Sequence, residues 1–313
     1  MHDARLAKTM TPTATPAVDR DGLTRFLIEH AGVRGVRVHL DDTWRQIRTR
    51  VDDAPEAAAE LLGEACAAAA LFTGHAKVDG RLSVQLRGEG PVRTLFAECT
   101  AAGTLRGIVR IAEGSDRVSR DLQALAPAVL AITIENPGTG GREPMRYQGL
   151  VGLEGDSLAA AFEAYFARSE QLPTRLLLAC DGTRAAGLMV QKLPGDEGDD
   201  DGWTRVGALF DTLRPGELLD WSGADLLHRL FHEDGVAELA RRPLAFGCSC
   251  SLERVEAMLV SLGADEARAA AADTGAAEVA CEFCGQQYRV DASRIEALLA
   301  SAGLEAAAPT TLQ

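Results

Sequence analysis

Aromatic side chains are scarce in this chain, 5% of 313 residues. A chain of this length holds about two domains. No uninterrupted apolar run of about 18 residues occurs, and none is expected to cross a membrane. The start, Met1 to Lys8 followed by a Thr/Pro/Ala stretch, lacks the apolar centre of a secretion signal, so the cytoplasm is the expected compartment. No dense run of Lys and Arg offsets the formal net charge of −14. Phosphate backbones and anionic membrane surfaces are therefore not expected as partners. Also missing are a G-x-x-x-x-G-K-[ST] loop, an H-E-x-x-H pair and any Ser/His/Asp or Cys/His grouping. With 46% hydrophobic and 25% charged residues, what is present fits an ordinary globular protein. The abundant alanine reads as a bias of composition that says little about function.

Along the chain, periodicity predicts an α+β arrangement. Residues 1–21 read as a flexible tail. Val36, Val38 and Leu40 share one face of a strand, with Arg37 and His39 on the other. Pro55 after two aspartates opens a helix running from Glu56 to about Phe72. Strands are predicted over 82–86, 92–99, 105–111, 131–135 and 147–153, with a turn at 88–91 and a loop over 136–141. Residues 121–130 read as a short helix or loop. A helix over 158–169 precedes a hairpin, 176–180 and 186–193, which closes a core of residues 22–194. Residues 195–202 are acidic and without apolar side chains, hence a solvated loop. Trp203, Val206, Leu209, Phe210 and Leu213 then recur at helical spacing. Ser222 opens a second amphipathic helix through Leu226, Leu230 and Phe231, with Asp225 as a weak capping box. Residues 195–244 are too few for a core of their own, so these helices are expected on the sheet of the first domain. His228 and His232 read as solvated or packed, Gly149, Gly152 and Gly155 as turn and strand glycines, and Asp156 and Glu170 as capping or salt-bridging groups.

Seven cysteines are an odd number for a disulfide framework. Cys66, Cys99 and Cys180 stand alone in apolar surroundings and read as buried structural thiols. The other four form Cys248-x-Cys250 and, after thirty residues, Cys281-x-x-Cys284-Gly. Four thiolates in two close pairs suit a tetrahedral zinc ion, and this defines a small domain over 245–301 with a tail over 302–313. A plain structural clip satisfies that spacing. A one-residue spacing, however, closes a small, strained ring when oxidised, and strained disulfides tend to be regulatory. Oxidation within both pairs would remove every ligand, and a small domain depends on its metal to fold.

Longer motifs extend the match upstream. Tyr147-Gln148-Gly149-Leu150-Val151-Gly152-Leu153-Glu154-Gly155-Asp156, Tyr165-Phe166-Ala167-Arg168-Ser169-Glu170-Gln171-Leu172-Pro173-Thr174, Val84 to Pro91 and Leu226 to Glu233 occur in this order ahead of the cysteines. Together with C-x-C and C-x-x-C, they resemble the redox-regulated heat shock protein 33 family of bacterial chaperones over about residues 22–300. The resemblance implies an N-terminal α/β sandwich-like core with antiparallel sheets, a helical linker and a small C-terminal zinc-binding domain. It implies a non-enzymatic, ATP-independent holdase that keeps unfolding and oxidatively damaged proteins from aggregating. The reduced form, with zinc on Cys248, Cys250, Cys281 and Cys284, is expected to be inactive. Oxidation is expected to pair Cys248 with Cys250 and Cys281 with Cys284, release zinc and unfold the linker. The active form is expected to be a homodimer. The N-terminal tail, the Gly138–Gly141 loop and the Ala-rich end after Ser301 are particular to this chain. Two other functions fit the cysteines alone: a thiol–disulfide oxidoreductase using Cys281 and Cys284, and a zinc-clip binding module.

Overall fold

A computed structural model describes residues 20–115, 117–138, 143–195 and 198–303. Most of the two predicted tails, the Gly138–Gly141 loop beyond its first residue, and residues 196–197 of the acidic loop lie outside the described residues. The chain divides into two compact units at the Phe246–Gly247 bond.

In the larger unit the order is β1 (Gly22–Ile28), β2 (Val33–Leu40), α1 (Asp42–Arg48), α2 (Glu56–His75), β3 (Arg81–Gly88), β4 (Val92–Thr100), β5 (Thr104–Ile111), β6 (Ala128–Asn136), β7 (Met145–Val151), α3 (Leu158–Ser169), β8 (Thr174–Cys180), β9 (Ala185–Lys192), α4 (Gly202–Phe210), α5 (Pro215–Asp220), α6 (Gly223–Phe231), β10 (Val236–Pro243) and β11 (Ala245–Phe246). Two sheets result. One has the order β10-β1-β2-β9-β8 and the other β11-β5-β4-β3-β6-β7. All pairings are antiparallel except that of β11 with β5.

Helix α2 lies between the sheets and explains the alanine. Its residues Ala65 to Ala70 are buried on every side, because small side chains let both sheets approach one helix. The approach is close enough to require glycine in the strands. A Cβ at Gly107 of one sheet would lie 3.0 Å from Cys66 Sγ, and one at Gly187 of the other 2.6 Å from Leu71 Cδ1. The alanine of this buried helix therefore carries architecture. Among the described residues α2 is the helix long and apolar enough to cross a membrane, and 83% of that stretch is buried inside the protein. Glu60 and Glu64 interrupt its apolar run, so counting uninterrupted apolar residues does not detect it. Phe162 and Phe166 of α3 meet Phe72 of α2 edge to face, at 4.9 and 5.2 Å between ring centroids.

Glu64 is buried in this helix and bonded by Arg120, which also reaches Glu60 Oε2 at 2.8 Å. Loss of hydration outweighs the pull of Arg120 and lifts the Glu64 carboxyl to about 7. The folded protein thus binds this proton more tightly than the unfolded chain. The stabilisation is complete below about pH 4.5 and is lost as pH rises towards 7. Glu64→Gln is expected to flatten that slope, and urea unfolding across this window should show the two proteins diverging by about 3 kcal/mol.

The outer face of the five-stranded sheet is covered by α4, α5 and α6. Val206, Phe210, Leu218, Leu226, Leu230 and Phe231 pack on Phe26, Ile28, Val33, Leu188 and Val190 in one continuous core. Arg37 and His39, the polar face of β2, are consequently buried. They meet the C-terminal end of α5, where unpaired carbonyls favour cations and N–H donors. Arg37 donates to the Trp221 carbonyl at 3.0 Å, His39 Nε2 lies 3.0 Å from the Leu219 carbonyl, and Arg184 donates to the same carbonyl at 3.1 Å. A second latch joins α4 to the turn that follows α6. Arg205 Nε donates to Asp234 Oδ1 at 2.9 Å, and its terminal nitrogens reach Asp201 and Asp199 at 2.8 and 2.9 Å.

Two elements of this region are absent from the sequence reading. Helix α5 has six residues, too few to display a period, and is started by Pro215. Strand β10 is an edge strand, exposed along most of its length and closed by Pro243, so it carries no clean alternation. It pairs with β1 along its whole length with one irregularity at Arg25/Phe26.

Candidate metal centre

The smaller unit contains α7 (Leu252–Leu262), α8 (Ala264–Ala269), β12 (Ala276–Ala280), β13 (Gln287–Asp291) and α9 (Ala292–Ser301). Its core is Val255, Leu259, Ala267, Ala271, Ala277, Val290, Ile295 and Leu299, with Val279 and Tyr288 partly buried against it. Alanine provides much of this core, and no buried aromatic belongs to it. Arg294 clamps Glu256 through two hydrogen bonds of 2.8 and 2.9 Å, holding α9 to α7.

Both cysteine pairs sit at element ends. Cys248 and Cys250 lie on the non-helical segment before α7, which Ser251 caps by accepting the Arg254 N–H at 3.3 Å. Cys281 and Cys284 occupy the turn between β12 and β13. Gly285 N donates to the Cys281 carbonyl at 2.7 Å, and Cys281 N donates to the Gln286 carbonyl at 2.9 Å. Gly285 adopts φ +74°, a left-handed conformation that glycine tolerates at little cost.

The two pairs converge. Cys248 Sγ is 3.6 Å from Cys281 Sγ, Cys250 Sγ is 3.3 Å from Cys284 Sγ, and all four sulfurs lie within 4.8 Å of one another. Four sulfurs at zinc–thiolate distance in a tetrahedron stand about 3.8 Å apart, so the cluster matches the size of such a site. Among the described residues this is the group of His, Cys, Asp or Glu side chains placed to hold a metal ion. The Tyr288 hydroxyl donates to Cys250 Sγ at 3.1 Å. That bond, followed by those from the other three thiols, holds the Cys250 thiol down at about 7. Burial pushes Cys284 up to about 12, and the bond to Cys250 pushes the Tyr288 hydroxyl up to about 12. Cys250 thus ionises more readily than Cys284, whose proton a bound cation would displace.

The remaining sequence candidates separate cleanly from this cluster. Cys66, Cys99 and Cys180 are buried around α2, and burial raises all three thiols, Cys99 to about 11. The rings of His228 and His232 lie 4.9 Å apart at their centroids, and His232 Nδ1 faces the His228 carbonyl at 2.9 Å. Glu170 accepts from Gln191 at 3.4 Å and lies 3.8 Å from the His75 ring. The Cys281-x-x-Cys284 turn joins two strands of a hairpin and does not open a helix, unlike a thioredoxin-type active site. Sequence reasoning missed Tyr288, whose one signal is an aromatic residue on the strand beside the second cysteine pair.

The family model described as Hsp33 protein matches residues 21–291. Three proteins named 33 kDa chaperonin are similar to this chain over nearly their full length. That of Ectopseudomonas mendocina (strain ymp) is 43% identical over 293 residues, covering 91% of this chain and 97% of the relative. That of Pseudomonas fluorescens (strain Pf0-1) is 39% identical over 303 residues, covering 95% and 99%. That of Nitrosococcus oceani is 40% identical over 280 residues, covering 90% and 94%. The crystal structure of the 33 kDa chaperonin, an Hsp33 homologue, from Thermotoga maritima shares the fold at a TM-score of 0.71 and 22% identity, over 91% of this chain and 99% of that one. With the predicted resemblance matched by the family model and by full-length relatives, this chain belongs to the Hsp33 family.

Proposed function

We propose that this protein is a redox-regulated, ATP-independent holdase, not an enzyme, and that it binds unfolding and oxidatively damaged proteins in the cytoplasm. The observation that carries the reading is the convergence of four sulfurs within 4.8 Å in a unit with little core of its own. Zinc is the metal whose ligand preference and geometry this set fits, and it would tie the two cysteine pairs into one closed structural site. In the reduced state Cys248, Cys250, Cys281 and Cys284 are its ligands.

Oxidation acts through local pairs, Cys248 with Cys250 and Cys281 with Cys284. In each pair one thiolate attacks peroxide, and the sulfenic acid formed condenses with the second thiol. One peroxide is reduced to two waters, one S–S bond forms and two ligands are lost. The contacts of Cys248 with Cys281 at 3.6 Å and of Cys250 with Cys284 at 3.3 Å cross between the motifs, so pairing within each motif would give up contacts that join the two halves. The chain reaches Cys248 two residues after β11. Loss of order there loosens β11 and the edge strand β10, and then the helices α4 to α6. The sheet face under those helices, with Phe26, Ile28, Leu188 and Val190, and the apolar faces of the helices themselves become the client surface. The active form is a homodimer. The net charge of −14 disfavours nucleic acid and anionic membrane as partners.

Light scattering of a heat-unfolding client tests this reading. Peroxide-oxidised, metal-free protein should suppress aggregation at near-stoichiometric amounts, and the reduced, zinc-loaded protein should not. Equal suppression by both forms would refute the switch.

A further inference from the structure

We infer that Tyr288 is a positioning residue of the metal centre, and that its hydroxyl bond to Cys250 Sγ governs how tightly the site holds metal and how fast that sulfur meets an oxidant. The inference rests on the four-cysteine reading above and names the group that tunes it. Tyr288 lies on β13 opposite Val279 of β12. Its ring packs against the alanine-rich core of the unit, and its hydroxyl reaches the sulfur at 3.1 Å. One side chain therefore joins the strand pair to a ligand contributed by the other half of the site, 38 residues away in sequence.

Hydrogen-bonded groups outside the ligand set orient ligands and tune a metal site, and their removal costs about 10–100-fold in affinity. A donor on a thiolate also withdraws electron density from the sulfur lone pair that attacks peroxide. In that attack the sulfur takes one peroxide oxygen, the O–O bond breaks and hydroxide leaves. The Cys248 thiol then displaces water from the sulfenic sulfur to form the disulfide. The bond from Tyr288 opposes the first of these steps. Cys250 is partly exposed, so chemistry as well as burial must restrain it.

Tyr288→Phe keeps the ring and removes the donor. Three readings are expected. The sulfur-to-metal charge-transfer band of the cobalt-substituted variant moves to lower energy. Zinc passes to a chromophoric chelator with affinity weakened on the order of tenfold. Zinc release under a fixed peroxide concentration is several-fold faster. Val279→Ala loosens the same strand pair without touching the hydroxyl, and should leave the band in place. A band, an affinity and a release rate all unchanged in Tyr288→Phe would overturn the inference, as would an equal band shift in Val279→Ala. Wild-type protein that takes up neither zinc nor cobalt would overturn the metal-site reading and this inference with it.

Discussion

Stripping zinc from the reduced protein, or replacing Cys281 by serine, is expected to unfold residues 247–303 and leave the two sheets and the helix α2 between them standing. The reason is the disproportion between the two cores. The larger unit buries Trp44, Phe26, Phe72, Phe162 and Phe231 completely. The smaller one relies on eight buried residues, three of them alanine. Structural zinc contributes about 10–16 kcal/mol in small peptides, more than so slight a core can replace. Hydrogen exchange resolves the outcome by segment. Amides of α7, β12, β13 and α9 should lose protection on chelation, while those of α2, β3 and β4 keep theirs. Retained protection over 252–301 in metal-free protein would show that the cysteines merely decorate a self-sufficient fold.

Arg205→Ala should release α4 to α6 without any oxidation. The Asp234 side chain is 3% exposed, and its Oδ1 depends on Arg205, while Oδ2 has no hydrogen-bond partner. Removing the partly exposed Arg205 guanidinium takes away the donor to the buried Asp234 carboxylate and leaves that side chain without a partner, which destabilises the docked arrangement. The docking of α4 to α6 is then left to their apolar core and to the bonds of Arg37, His39 and Arg184, and is expected to weaken. The reduced, zinc-loaded variant should therefore bind an environment-sensitive apolar dye and suppress client aggregation. Adding Asp234→Asn should recover much of the docking, because the stranded charge is then gone. A reduced Arg205→Ala protein as silent as wild type would mean that apolar burial alone holds these helices.

The cysteine pattern was legible in the sequence because each pair is local: one or two intervening residues bring two sulfurs to one turn. Tyr288 was not, since its bond to Cys250 depends on how β13 stands against the segment before α7. The helices carrying Trp203 to Leu213 and Leu226 to Phe231 were readable from their period, and their need for a neighbouring surface from their small size. Arg37 and His39 show the limit of such patterns. Alternation along β2 correctly separates two faces, yet it cannot say that the polar face will be covered by helices whose carbonyl ends it meets. The Ala65–Ala70 run was the least legible feature. Its meaning lies in the distance between two sheets, a quantity no single segment encodes.

The most direct measurement follows three signals through one peroxide titration: zinc released, hydrogen-exchange protection over α4 to α6, and suppression of client aggregation. The account predicts that protection over residues 202–231 falls as zinc leaves, and that holdase activity rises with that fall. Zinc release and thiol oxidation that run to completion while 202–231 stays protected and aggregation proceeds unchecked would contradict it, and would reduce the four cysteines to a structural clip.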